Sequence, residues 1–357
     1  KHTSANAMGN DVIDINNDGL VDVVALDMDQ EDNYRKKMML NPNSYQTYQN
    51  SDYFGYGYQY VRNTLQLNRG PRIGQNDSVG PPIFSDISFY AGMAETDWSW
   101  APVVADFDND GYRDIIITNG FPKDVTDHDF VGFRNMSYSV ATKKQLLEQI
   151  PEVKLHKYAF RNNGNLTFSN VSEEWGMKTV AFSNGAAYAD LDNDGDLDLI
   201  VNNINDEATV LRNTTNDPSR EKKNNYLQLS FEGDSLNIAG IGATVQIHYD
   251  HGKQQVWEYT PYRGYLSTDQ NIAHFGLGTV TVIDTLLVQW PNGKTQQLNN
   301  VSINQLLKLK MKDARDAVRF KNTVLADDAL FKEVTHAVGI NYVHKERDFI
   351  DFNIQKL

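Results

Sequence analysis

Asp106-Phe107-Asp108-Asn109-Asp110-Gly111-Tyr112-Arg113-Asp114, running straight into Ile115-Ile116-Ile117-Thr118, is the stretch that decides the fold of this chain. The same nine-residue pattern, Asp-x-Asp/Asn-x-Asp-Gly-x-x-Asp, recurs as Asp14-Ile15-Asn16-Asn17-Asp18-Gly19-Leu20-Val21-Asp22 and as Asp190-Leu191-Asp192-Asn193-Asp194-Gly195-Asp196-Leu197-Asp198. Each copy enters a short β-branched run, Val21 to Leu26, Asp114 to Thr118 and Asp198 to Asn202, which reads as a buried strand rather than a helix. The acidic loop therefore joins two strands, and its recurrence marks a repeat architecture.

The repeat extends beyond the loop. Phe84-Ser85-Asp86-Ile87-Ser88 leads to Ala91-Gly92-Met93, and Phe168-Ser169-Asn170-Val171-Ser172 leads to Trp175-Gly176-Met177, with equal spacing from the Phe to the first Asp of the following loop. A third such prelude, Phe331-Lys332-Glu333-Val334-Thr335 with Val338-Gly339-Ile340, stands near the C-terminus with no loop after it. Together with a start at Lys1-His2-Thr3 and a strand-like Phe349 to Ile354, this leads to the expectation that both ends are cut from a longer polypeptide.

Oxygen donors at alternate positions 1, 3 and 5 wrap a hard cation of calcium's size, the glycine at position 6 allows the sharp turn, position 7 offers its carbonyl, and position 9 returns a carboxylate. The plain alternative for one such loop is a polar turn between strands. Three copies favour the cation, because crowded carboxylates repel one another and a divalent ion reverses that energy. The helix-loop-helix calcium hand is excluded: its position 12 is a Glu, whereas here it is Ala25, Ile117 and Val201.

With 33 Lys+Arg against 47 Asp+Glu, the 357 residues carry a formal charge of −14, and no dense basic block exists to meet nucleic acid or an acidic membrane surface. The absence of Cys removes disulfides, thiolate metal sites and cysteine nucleophiles. No apolar run reaches the ~18 residues of a transmembrane helix.

These loops and preludes resemble the FG-GAP or VCBS repeats of β-propellers, as in integrin α-subunit heads and many bacterial surface proteins. The resemblance covers residues 1–215 and implies four-stranded blades whose loops hold about three Ca²⁺ in all. The ligands it implies are Asp14, Asn16, Asp18, Leu20 (carbonyl) and Asp22; Asp106, Asp108, Asp110, Tyr112 (carbonyl) and Asp114; and Asp190, Asp192, Asp194, Asp196 (carbonyl) and Asp198. Loop one, with an Asn in place of an Asp, is expected to be the weakest. The family's rings have roughly seven blades.

Two insertions interrupt the blades. One is rich in aromatics, from Tyr45 through Tyr48, Tyr53, Phe54, Tyr56 and Tyr58 to Tyr60, and either grips a sugar or peptide or packs onto its own blade. The other holds Asp124-Val125-Thr126-Asp127-His128-Asp129 before a helical Lys143 to Ile150, and is either a further cation site or a solvated loop.

After a polar linker at residues 216–225, alternating strands define an all-β unit over 226–312, with turns at Asp250-His251-Gly252-Lys253 and Pro291-Asn292-Gly293-Lys294. Gly240-Ile241-Gly242-Ala243, Arg263-Gly264-Tyr265-Leu266-Ser267, Phe275-Gly276-Leu277-Gly278 and Val288-Gln289-Trp290-Pro291-Asn292-Gly293 resemble the ASPIC/UnbV domain. Residues 313–357 would then be a linker and the start of a further propeller repeat. The order of modules is similar to that of surface proteins of Bacteroidota, often lipid-anchored and associated with SusC/SusD-type outer-membrane uptake complexes.

The fold expected is thus all-β, propeller blades with calcium loops followed by a β-sandwich-like domain. No His-Glu-x-x-His, Gly-x-Ser-x-Gly or phosphate loop is present, and the clustered Asp are committed to cation loops. The function expected is a non-catalytic, calcium-binding extracellular scaffold with a protein or glycan ligand. The alternative is a calcium-dependent polysaccharide lyase or glycosidase of propeller type. Asp77-Ser78-Val79, Asp234-Ser235-Leu236 and Asp284-Thr285-Leu286 are similar to short O-glycosylation sequons.

Overall fold

Each acidic loop closes an antiparallel hairpin, and each hairpin opens a blade. The computed structural model describes residues 3–39, 44–73, 79–137, 139–217, 219–220, 223–315, 337–339 and 342. After β1 (Thr3–Ser4), blade one takes β2 (Asn10–Ile13) and β3 (Asp22–Ala25); α1 (Asn33–Met38), α2 (Tyr45–Phe54) and β4 (Gln59–Tyr60) intervene before β5 (Thr64–Ile73) and β6 (Val79–Asp86). Its order is β2-β3-β5-β6. Past α3 (Ser88–Ala91), blade two is built from β7 (Ser99–Ala105), β8 (Asp114–Asn119), β9 (Tyr158–Asn162) and β10 (Phe168–Asn170), with α4 (His128–Ser137) and α5 (Lys143–Glu148) inserted. Blade three has β11 (Ser183–Ala189), β12 (Asp198–Asn203) and β13 (Thr209–Leu211).

The C-terminal unit comprises β14 (Asn225–Glu232), β15 (Thr244–Tyr249), β16 (Lys253–Glu258), β17 (Tyr262–Arg263), β18 (Ser267–Thr268), β19 (Ile272–Gly278), β20 (Val282–Gln289), β21 (Thr295–Ser302) and β22 (Leu306–Lys310). Two of its sheets, β19-β14-β22 and β16-β15-β20-β21, share one core of Leu227, Val245, Phe275, Leu286, Trp290 and Leu309. The alternation read from sequence is present: Val245, Ile247 and Tyr249 are buried while Thr244, Gln246 and His248 are half-buried. The five sheets of three or four strands give an all-β protein with a propeller arrangement, three loop-bearing blades followed by this face-to-face pair.

Translation from blade to blade governs the packing. Val24 on β3 and its cross-strand partner Leu65 bury against Ile115, Ile117, Tyr158 and Phe160 of blade two. Ile116 and its partner Ala159 point the other way, onto Leu199, Val201, Ala186 and Tyr188 of blade three. The period of two in a strand thus sends alternate residues of β8 to opposite neighbours, which is why this strand is apolar throughout.

The structure refines three sequence readings. The preludes close a blade: Phe84-Ser85-Asp86 lies in β6 and Phe168-Ser169-Asn170 in β10, each the last strand of the blade before the following loop. The aromatic insertion contains a helix, α2, capped by Ser44, and Tyr53, Phe54 and Tyr56 stay exposed, with Phe54 against both Tyr53 and Tyr56. The acidic insertion is not solvated throughout, since Asp124 is buried and accepts from Thr126, and Asp127 accepts from the Phe130 N–H. Thr142 and Gln145 form a capping box for α5, the helix read there. Of the sequon-like triplets, Ser235 is exposed and Thr285 lies within β20, whereas Asp77-Ser78 lies outside the described residues. Lys1–Ala317 form one compact unit and Val318–Leu357 another; the third prelude at Phe331–Thr335 and the strand read at 349–354 lie outside the described residues.

Candidate metal centres

The three loops repeat one hydrogen-bond scheme. At position 1, Asp14, Asp106 and Asp190 each accept the N–H of positions 5 and 6, at 3.2 and 2.9 Å, 3.1 and 2.7 Å, and 3.1 and 3.0 Å. At position 5, Asp18, Asp110 and Asp194 accept the N–H of position 7. At position 9, Asp22, Asp114 and Asp198 accept the N–H of position 2 across the hairpin. Two left-handed residues make the turn possible: Asn17, Asn109 and Asn193 at φ of 61, 58 and 61°, and Gly19, Gly111 and Gly195 at 88, 101 and 90°. Asn tolerates that region better than most residues, and Gly adopts it freely.

These bonds aim the carboxylates inward. One oxygen each of Asp106, Asp108 and Asp114 lies within 4.8 Å of the others, and the same holds for Asp190, Asp192 and Asp194. In loop one Asn16 takes position 3 beside Asp14, Asp18 and Asp22, and its amide donates to Asp18 at 3.0 Å. The donor set is all oxygen, which suits a hard cation of calcium's size and not a soft transition metal. Leu20, Tyr112 and Asp196 occupy position 7; Asp196 also buries its side chain, accepting from Asn109 and from the Asn216 N–H.

Protonation responds to the crowding. Burial pushes the Asp106 carboxyl well above the ordinary range, helped by the charges of Asp110 and Asp108; burial does the same for Asp114, with Asp108 and Asp106 adding to it. Burial raises Asp22 and Asp196 to about 6, and raises Asp14 against the opposing pull of the Arg113 guanidinium. Negative charge here is costly unless a cation compensates it. In loop three Arg212 supplies part of that compensation, at 2.9 Å from Asp192 and 3.7 Å from Asp194.

Sequence reasoning missed the residues that clasp each loop to its blade and to its neighbour. Asn68, Asn162 and Asn213 give their N–H to the position-9 carboxylate and their amide to the position-8 carbonyl of Val21, Arg113 and Leu197. The amide of Asn162 also reaches back to the Ile15 carbonyl, and that of Asn213 to the Phe107 carbonyl, both at position 2 of the previous loop. In the other direction Asn17 donates to the Gly111 carbonyl at 2.8 Å and Asn109 to the Gly195 carbonyl at 3.2 Å. The signal was an Asn two residues ahead of Gly70, Gly164 or Thr215, whose N–H it accepts; insertions of unequal length hid the recurrence.

Beside the third loop a groove of about 650 Å³ has a floor of Phe107, Trp175, Leu199 and Leu211 and a rim that includes Arg161 and Arg212.

Two protein-family models match parts of the chain. Residues 233–316 match the model described as ASPIC and UnbV, within the C-terminal β unit. Residues 156–201 match the FG-GAP-like repeat, from β9 through the third loop into β12. None of the curated proteins matches the chain.

Proposed function

We propose that this chain is a non-catalytic, calcium-binding extracellular scaffold, whose acidic loops staple propeller blades that present surfaces to a protein or glycan. The observation that carries the reading is the threefold loop scheme, with three carboxylates drawn to within 4.8 Å in loops two and three. Calcium would be held by Asp14, Asn16, Asp18 and Asp22, by Asp106, Asp108, Asp110 and Asp114, and by Asp190, Asp192, Asp194 and Asp198, with carbonyls of Leu20, Tyr112 and Asp196 completing the cages. In a chain without Cys, the ions take the stabilising place that disulfides hold in other extracellular proteins. The complete ring has about seven blades on this reading. Its place is the bacterial cell surface, at the outer membrane, with a SusC/SusD-type complex as the partner class.

The exposed aromatics Tyr53, Phe54 and Tyr56 and the arginine-rimmed groove are the surfaces offered to a ligand. Calorimetric titration of the chelator-stripped chain with Ca²⁺ tests the reading. About three binding events are expected. A flat titration would overturn it, and unsaturated product from an acidic polysaccharide would turn the scaffold into a lyase.

A further inference from the structure

The C-terminal β unit touches the ligand-bearing turns of the second and third loops from outside. Gln228 on β14 is buried and donates from Nε2 to Oδ2 of Asp190 at 2.8 Å. Gln270, just ahead of β19, accepts the Asp190 N–H at 3.3 Å. His274 on β19 lies 2.6 Å from Oδ1 of Asn109, and the Gly278 N–H donates to the Asn109 carbonyl at 2.7 Å. Gly276 is pressed so close that a Cβ there would sit 2.0 Å from Oδ2 of Asp106. Cover over loop one is thinner: Gln254 reaches the Asn17 carbonyl only at 3.4 Å.

From this placement we infer that the β unit is the outer coordination shell of loops two and three, with Gln228 the positioning residue for Asp190, so that cation uptake and docking of the unit strengthen each other. The inference rests on the calcium reading above. A fixed donor on one carboxylate oxygen sets the carboxylate's orientation, and the metal then meets a ligand that needs no reordering. Coupling of this kind is reciprocal: whatever the docked unit adds to cation affinity, the bound cation adds to docking.

The test compares Ca²⁺ titrations of the whole chain with those of Gln228→Met, which keeps the side chain's length and loses its donor. One site is expected to weaken by about 10-fold, the low end of the range for outer-shell partners, with the remaining sites unchanged. Wild-type affinity at every site of the variant would overturn the assignment of Gln228. Hydrogen exchange on the wild-type chain needs no variant: amides of β14 and β19 should exchange several-fold more slowly with calcium, and equal rates with and without it would overturn the coupling. A wild-type chain that takes up no calcium would sink the metal reading itself, an outcome distinct from either of these.

Discussion

The guanidinium of Arg263 lies 2.7 Å from the carboxylate of Asp11, and both side chains are buried. Asp11 sits on the first strand of blade one and Arg263 on β17, so the pair ties the start of the arc to the C-terminal unit. Burial raises the Asp11 carboxyl, and Arg263 opposes that rise. Removing one partner leaves the other buried charge without its direct ion pair, so Asp11→Leu or Arg263→Met should each cost about 3–5 kcal/mol. The double variant should recover much of this, because two apolar side chains bury without penalty. Urea midpoints of the four proteins measure the cycle; strictly additive losses would show that the charges are not paired in solution.

Chelation should lower the melting temperature. Each cation that binds only the folded loop adds about 2.7 kcal/mol at a hundredfold excess over its Kd. Asp108→Ala or Asp192→Ala should reproduce part of the loss and shrink the response to EDTA. Scanning calorimetry with and without chelator decides, and an indifferent melt would contradict the staple.

Asn162→Leu should destabilise by about 2–4 kcal/mol, because the carbonyls of Ile15 and Arg113 both lose their donor. A loss below about 0.5 kcal/mol in urea, at unchanged m, would mean that water replaces the amide at little cost.

The clasp shows how far sequence alone reaches. The loops were legible because their chemistry is local: nine consecutive residues hold the ligands, the turn and the strand entry. The strands of the β unit were legible for the same reason, through alternation at Val245, Ile247 and Tyr249. Asn162 was not, since its worth lies in two carbonyls far from it in sequence, at Ile15 and Arg113. Equally hidden was the place of Phe84 and Phe168 in the closing strands of their blades, because a recurring motif gives its period without saying where a blade begins. The helix at Tyr45–Phe54 was obscured by a run of aromatics that favours strands in isolation, and the Ser44 cap with Gly55 in the left-handed region fixes it instead.

Acidification should expose the cost of burying His274. Burial lowers its pKa to about 3, from an ordinary value near 6.5. Between those values the unfolded chain holds a proton that the folded one does not, so stability is complete above about pH 6.5 and falls as pH drops, by about 2 kcal/mol at pH 5. Asp269, raised to about 7 by burial, works in the opposite sense over the same window. The difference between wild type and His274→Gln isolates the histidine: the variant should gain on the wild type as pH falls from 7 to 5 in thermal melts. Parallel profiles would place a water or a charge beside the imidazole.

Arg212→Ala should tighten loop three for calcium by a few fold, since the guanidinium holds Asp192 and Asp194 in competition with the ion. Terbium luminescence titration reads this directly, and unchanged affinity would show that the arginine swings clear at no cost.

The joint between neighbouring blades has a front and a back. A leading loop gives through its fourth residue, Asn17 or Asn109, and takes at its second-residue carbonyl, Ile15 or Phe107; the following blade takes at Gly111 or Gly195 and gives through Asn162 or Asn213. A module turned end for end would bring amide against amide and oxygen against oxygen. Tandem duplication of a blade therefore yields a ready-made fit in one orientation only, so such an array can lengthen by simple copying while its handedness is preserved from unit to unit.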